Sequence, residues 1–199
     1  MTKRSAVRIS LLALTISMPA AGQSTLMPSY SVPYRGFVEN EKGLSVSFPG
    51  GSYGLEGLYG VGRGSFDVRF RGGVLLDSGT DNVLVMFGAE FRNRVITQTT
   101  DFPFDGAVVF GGGAQLGEVN TFALPIGLSL GRRVELEDSD VVIVPFVQPT
   151  GIVLVGDVSD FFFSLGFGAD FRLTPVFDLR LSLGLGDVDG LSVSAVWIQ

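Results

Sequence analysis

Large apolar residues in this chain occupy alternate positions, and Gly, Ser and charged residues fill the positions between them. Phe177, Leu179, Leu181, Leu183 and Leu185 alternate with Asp178, Arg180, Ser182, Gly184 and Gly186. A period of two marks a β-strand with one oily face. If that face turned inward, the exterior would have to carry the polar residues that keep a protein in water. Residues 42 to 199 contain one lysine, Lys42, so such an exterior would be glycine, serine and little else. The pattern predicts the inverse arrangement, with the oily face toward lipid and the small and charged face around a lumen.

Bulk composition agrees. The 199 residues are 46% hydrophobic and 17% charged, with 28 glycines, and the mean hydropathy is +0.41. No stretch reaches the roughly 18 uninterrupted apolar residues of a spanning helix. Apolar residues diluted one-to-one by lumen residues give a high hydropathy without such a stretch. The length suits one domain, and the absence of Cys excludes disulfides and thiolate chemistry.

The first residues read as an export address. Lys3, Arg4 and Arg8 form a basic region, Ile9 to Met18 an apolar one, and Pro19-Ala20-Ala21-Gly22 a small-residue cleavage site. Cleavage is expected after Gly22, making 1–22 a signal peptide. Its removal takes three positive and no negative charges, moving the formal charge from −6 to −9. A chain this acidic, with scattered arginines, is not built for nucleic acid. Residues 23–42, with Pro28 and Pro33 and little alternation, read as an irregular lead-in. Residues 43–199 read as the barrel.

Within 43–199 the alternation predicts an all-β, up-and-down antiparallel transmembrane barrel of ten strands, with eight as the alternative. The expected strands are 43–49, 52–61, 65–77, 82–96, 104–116, 121–133, 140–154, 159–172, 177–186 and 190–198. Links are mostly short and polar, which makes neighbours antiparallel. Pro145 and Pro149 predict a bulge or a poorly bonded edge in the seventh strand. Phe122, Leu124, Ile126, Leu128 and Leu130 are expected to face lipid. Gly111-Gly112-Gly113 fails dinucleotide spacing and reads as a place where the wall curves.

Turn lengths then set the register of the charges. A turn at Thr174-Pro175-Val176 puts Arg172 opposite Asp178 and Asp170 opposite Arg180. A turn at Ser78 to Asp81 puts Arg69 opposite Glu90 and Asp67 opposite Arg92. Taking Arg63-Gly64 as a two-residue loop puts Glu56 opposite Arg71. All five oppositions are of complementary sign. Buried charges must be paired to be tolerated, whereas exposed ones need no matching. These ten residues are therefore the candidate lumen network, gathered toward the end where the last strand finishes, which is periplasmic in barrels with short periplasmic turns.

The export signal, the amphipathic strands, the aromatic positions Tyr53, Tyr59, Phe161, Phe163, Phe171 and Trp197, and these ion pairs together resemble the small outer-membrane β-barrels of Gram-negative bacteria, the OmpA-like and OmpX-like barrels. The resemblance covers residues 43–199. It implies an outer-membrane location, lipid contact, and insertion by the outer-membrane assembly machinery. Members often end in an aromatic residue read by that machinery, whereas this chain ends Val196-Trp197-Ile198-Gln199.

Catalytic signatures are lacking. Histidine is absent, which removes the usual general base and the commonest metal ligand, and barrel enzymes of similar shape use a histidine. Carboxylates facing arginines have lowered pKa values, unsuited to general acid work. Asp187-Val188-Asp189-Gly190 lacks the later ligands of a calcium loop and reads as an acidic turn, and Glu135 to Asp140 as a solvated loop. No catalytic, cofactor or metal residue is expected. The expected role is structural, supporting membrane integrity with an ion-paired lumen. The alternatives are a narrow pore or carrier for small or apolar molecules and, third, a surface adhesion or receptor module.

Overall fold

The computed structural model describes residues 24–33, 37–79, 82–137 and 139–199. The signal-peptide reading of 1–22 lies outside them. Eleven strands follow one another: β1 (Glu41–Phe48), β2 (Tyr53–Gly62), β3 (Phe66–Leu76), β4 (Val83–Ile96), β5 (Asp105–Leu116), β6 (Thr121–Gly131), β7 (Val134–Glu135), β8 (Val142–Gly156), β9 (Asp160–Thr174), β10 (Phe177–Gly186) and β11 (Gly190–Ile198). β7 is a two-residue stub on β8. The other ten pair antiparallel with their sequence neighbours, β6 passes directly to β8, and β1 pairs with β11 from Glu41↔Ile198 to Phe48↔Leu191. The result is a closed ten-stranded up-and-down barrel. The eight-strand alternative does not hold: each of the ten, β1 included, is hydrogen-bonded on both sides.

The first strand starts two residues before the expected boundary. Glu41, Gly43, Ser45 and Ser47 point inward and Lys42, Leu44, Val46 and Phe48 outward, so the alternation already runs through the end of the lead-in. The same alternation holds around the ring. Inward positions are buried, and outward positions carry exposed Phe, Leu, Ile, Val, Tyr and Trp, with Ile126 and Phe161 each 63% exposed. Phe122, Leu124 and Ile126 stand exposed on the outer wall, and Leu128 and Leu130 share that face half-covered. On the outer faces of the ten strands, Lys42 is the single charged side chain.

Of the two outcomes expected from the prolines of β8, the structure shows the poorly bonded edge. There is no bulge. The β6–β8 ladder keeps one register but is interrupted between Gly127↔Thr150 and Leu130↔Val147. Pro149 sits in that gap and has no N–H to donate, while on the other edge β8 pairs with β9 without a break. The irregularities fall instead at Arg94/Ile96 and Phe177/Asp178. The Gly111–Gly112 stretch coincides with a second interruption, between Phe110↔Ile126 and Gly113↔Ala123, opposite Pro125.

The two rims differ. At the rim holding the barrel's first and last strand ends, the links are 63–65, 97–104, 132–141 and 175–176. At the far rim every link is short: 49–52, 77–82, 117–120, 157–159 and 187–189.

Candidate functional site: the lumen and the segment inside it

Inward alternation stacks charged residues into a layer near the terminal rim. Asp67 and Arg69 lie early in β3, Arg92 late in β4, Asp170 and Arg172 late in β9, and Asp178 and Arg180 early in β10. Arg69, Arg92, Asp67, Asp170 and Asp178 have essentially no exposure. The cross-strand oppositions Asp67↔Arg92, Arg69↔Glu90, Asp170↔Arg180 and Arg172↔Asp178 are those set by the two turns. Contacts are more specific than opposition alone. Arg92 grips Asp67 through both Nε and Nη2, and Arg180 Nη2 donates to Asp170 Oδ2 at 3.1 Å. Arg69 turns away from Glu90 and binds Glu41, with Asp67 at 3.8 Å. Glu41 also lies 3.8 Å from Arg180, so it links β3 to β10 across the closing seam.

Glu41 was missed because it falls in the stretch read as lead-in; the alternation of 41–48 was the signal. The Glu56–Arg71 opposition needs correction. Glu56 pairs with Gly73 and Arg71 with Leu58, because the turn holds two more residues than Arg63-Gly64 alone. A shift of two preserves every face, so Arg71 Nη1 still reaches Glu56 Oε2 diagonally at 2.9 Å. Arg71 Nε lies 3.6 Å from Glu90 Oε1.

Beyond this layer the lumen is lined by glycine and serine together with Glu56, Arg71, Glu90, Gln115 and apolar side chains such as Leu75, Met86, Ile152 and Leu154. Residues 24–33 lie inside it, all buried. Several of their polar groups bond to the wall. Thr25 and Ser29 donate to the two oxygens of Glu56 at 2.5 and 2.7 Å. Ser24 donates to Glu90 Oε1 at 3.2 Å. Arg71 donates to the hydroxyls of Ser29 and Ser31, Arg92 Nη1 to the Val32 carbonyl at 2.6 Å, and Gln115 Nε2 to the Thr25 carbonyl at 3.1 Å. Below the segment, Phe37 packs under the guanidinium groups of Arg92 and Arg94, 5.1 and 5.8 Å from its ring centre.

Glycines make the room. A Cβ at Gly113 would overlap the Ser24 backbone, one at Gly166 the Tyr30 ring, one at Gly54 the Met27 methyl, and one at Gly88 would lie 2.8 Å from Ser24 Oγ. These inward glycines come from β5, β9, β2 and β4, and together they form a mould for one segment. Its apolar side chains fill two clusters. Leu26, Tyr30 and Val32 pack with Ala123, Val144, Phe146, Ile152, Leu154 and Val188, and Met27 packs with Leu75 and Met86. Val188 comes from the acidic far-rim turn and is buried in the first of these clusters. The Tyr30 hydroxyl hydrogen-bonds Ser164. Burial pushes its phenol up to about 12, the Ser164 bond offsetting part of the rise.

Among the described residues no group of three or more His, Cys, Asp or Glu is placed to hold a metal ion, and no helix is long and apolar enough to cross a membrane. The inner carboxylates Glu41, Glu56, Asp67, Glu90 and Asp170 each lie within 4 Å of an arginine nitrogen. Chemically this arrangement ties strands together and holds a peptide.

The fold and the lumen define a class: a closed ten-stranded β-barrel with an apolar outer wall, an ion-paired inner layer and its own N-terminal segment inside. No family model matches the chain, and no curated protein is similar to it. Among solved structures it is similar to the β domain of the Bordetella autotransporter BrkA, at a TM-score of 0.46 and 14% identity over 83% of this chain and 76% of that one.

Proposed function

We propose that this protein is a non-enzymatic outer-membrane barrel, exported by a cleaved signal peptide and inserted by the outer-membrane assembly machinery, whose role is structural, a sealed element of the membrane. The observation that carries the reading is the outer wall. Around ten strands the outward face presents large apolar residues and one charge, Lys42, set between Tyr59 and Trp197 near the terminal rim. In water that wall would be an exposed apolar patch far larger than soluble proteins carry. In a bilayer it is a hydrocarbon belt, with the aromatic pair and the lysine at one interface. The inner wall supports the structural role, since paired charges brace the barrel and residues 24–33 occupy its lumen.

The short far-rim links weigh against an adhesion or receptor role, which needs projecting loops. Cell fractionation with heat-dependent gel mobility tests the reading. The full chain is expected in the outer-membrane fraction as a compact band that slows on boiling, and silent in planar bilayers. A soluble, periplasmic protein would overturn the location, and steady conductance by the wild type would overturn the sealed role.

A further inference from the structure

Residues 24–33 are bound to the wall as a ligand is, and take no part in building it. Among the described residues no backbone-to-backbone hydrogen bond joins them to a strand, while the ten strands close a complete ring of ladders without them. What holds the segment is side-chain chemistry aimed inward, namely Glu56, Arg71, Glu90, Gln115 and Ser129, and a mould of missing Cβ atoms at Gly54, Gly88, Gly113 and Gly166. Glycines in a strand interior weaken it. Their clustering at the inward positions that touch one peptide indicates a built socket. The Glu56–Arg71 pair belongs to the wall itself, at 2.9 Å, and would remain when the socket is empty. Its vacated lining would join glycine, serine and the Glu56–Arg71 pair to apolar side chains such as Leu75, Met86, Phe146 and Ile152, a mixed surface whose polar groups can hold water.

We infer that the lumen is a binding site for one extended peptide, that residues 24–33 are its resident ligand bound in cis, and that vacating the site turns the barrel into an aqueous passage for small ions. The inference rests on the membrane-barrel reading and goes beyond it: the sealed state is a bound state. The charged layer of Glu41, Arg69, Arg92 and Arg180 is then the narrowest part of the passage.

The test compares three proteins in planar bilayers: the full chain, a chain lacking 24–33, and the full-length double variant Met27→Ala/Tyr30→Ala, which keeps every polar side chain of the segment except the Tyr30 hydroxyl. The full chain is expected to be silent. The deletion should give discrete conductance steps, and the double variant intermittent ones. A synthetic peptide of residues 24–40, added to the deletion barrel, should block it saturably, whereas a scrambled peptide should not. A deletion barrel that inserts, shows heat-dependent mobility and stays silent overturns the passage, and steps that the peptide fails to block overturn the binding site. If the deletion does not fold, silence of the inserted double variant overturns the proposal. Failure of every protein, wild type included, to insert into lipid would instead sink the membrane reading.

Discussion

The two halves of the lumen achieve closure by opposite means. Near the terminal rim, wall meets wall: Asp67 with Arg92, Asp170 with Arg180, and Glu41 with Arg69 and, across the seam, with Arg180. Toward the far rim the walls keep apart, and a separate stretch of chain fills the space. The first half is self-sufficient, since its charges neutralise one another within the ring. The second is complementary to something outside the ring, and its glycines have meaning only when Met27, Tyr30 and Ser24 are in place. Damage to the first half should therefore unfold the barrel, and damage to the second should leave a barrel that leaks.

Arg180→Ala should show the largest effect. It strands the fully buried Asp170, and breaking a buried pair costs about 3–5 kcal/mol, read as a lower urea midpoint for folding into vesicles. Adding Asp170→Ala should recover part of the loss. No coupling in the cycle would mean that the charged half is not self-bracing. Next comes the outer wall. Leu181→Arg should cost about 2–4 kcal/mol if the residue sits near the bilayer midplane. The neighbouring Ser182→Arg enters the lumen, where Ser182 faces the Tyr30 carbonyl at 3.5 Å. There the added bulk should expel the segment, giving a folded barrel in which residues 24–33 become open to protease. If Ser182→Arg unfolds the barrel as fully as Leu181→Arg, the two halves are not separable.

The smallest effect is a pH response confined to the socket. The Tyr30 phenol, ordinarily at 10.0, is pushed up to about 12. Because the folded value is the higher one, the contribution of the neutral phenol is complete below pH 10 and is lost as pH rises through about 12. Across that window segment 24–33 should loosen in the wild type, seen as increased labelling of a cysteine placed at Ser24. The Tyr30→Phe background should show no such increase.

Legibility from the sequence divides along the same line. Period two and short turns determined the strands, the faces and four oppositions, because each depends only on residues close in the chain. The Glu56–Arg71 register slipped by two through an underestimated turn, and the faces survived because the side-chain period is also two. The lumen segment was not legible. Nothing in 24–33, with its two prolines and mixed small residues, announces a buried location. The information sits in Gly54, Gly88, Gly113 and Gly166, which are scattered over the chain and converge only once the ring has closed. These glycines make room in the lumen, and residues 24–33 take it.

The seam between β1 and β11 carries one more consequence, about order in time. All other strand pairs join sequence neighbours, so they can zip up as hairpins, while Glu41 must find Ile198 from the opposite end of the barrel sequence. Contacts of such separation are the slow ones. Since the inner segment hangs from β1, one lip of that last gap, the curled sheet can wrap itself around its cargo sideways and need never thread it through a finished ring.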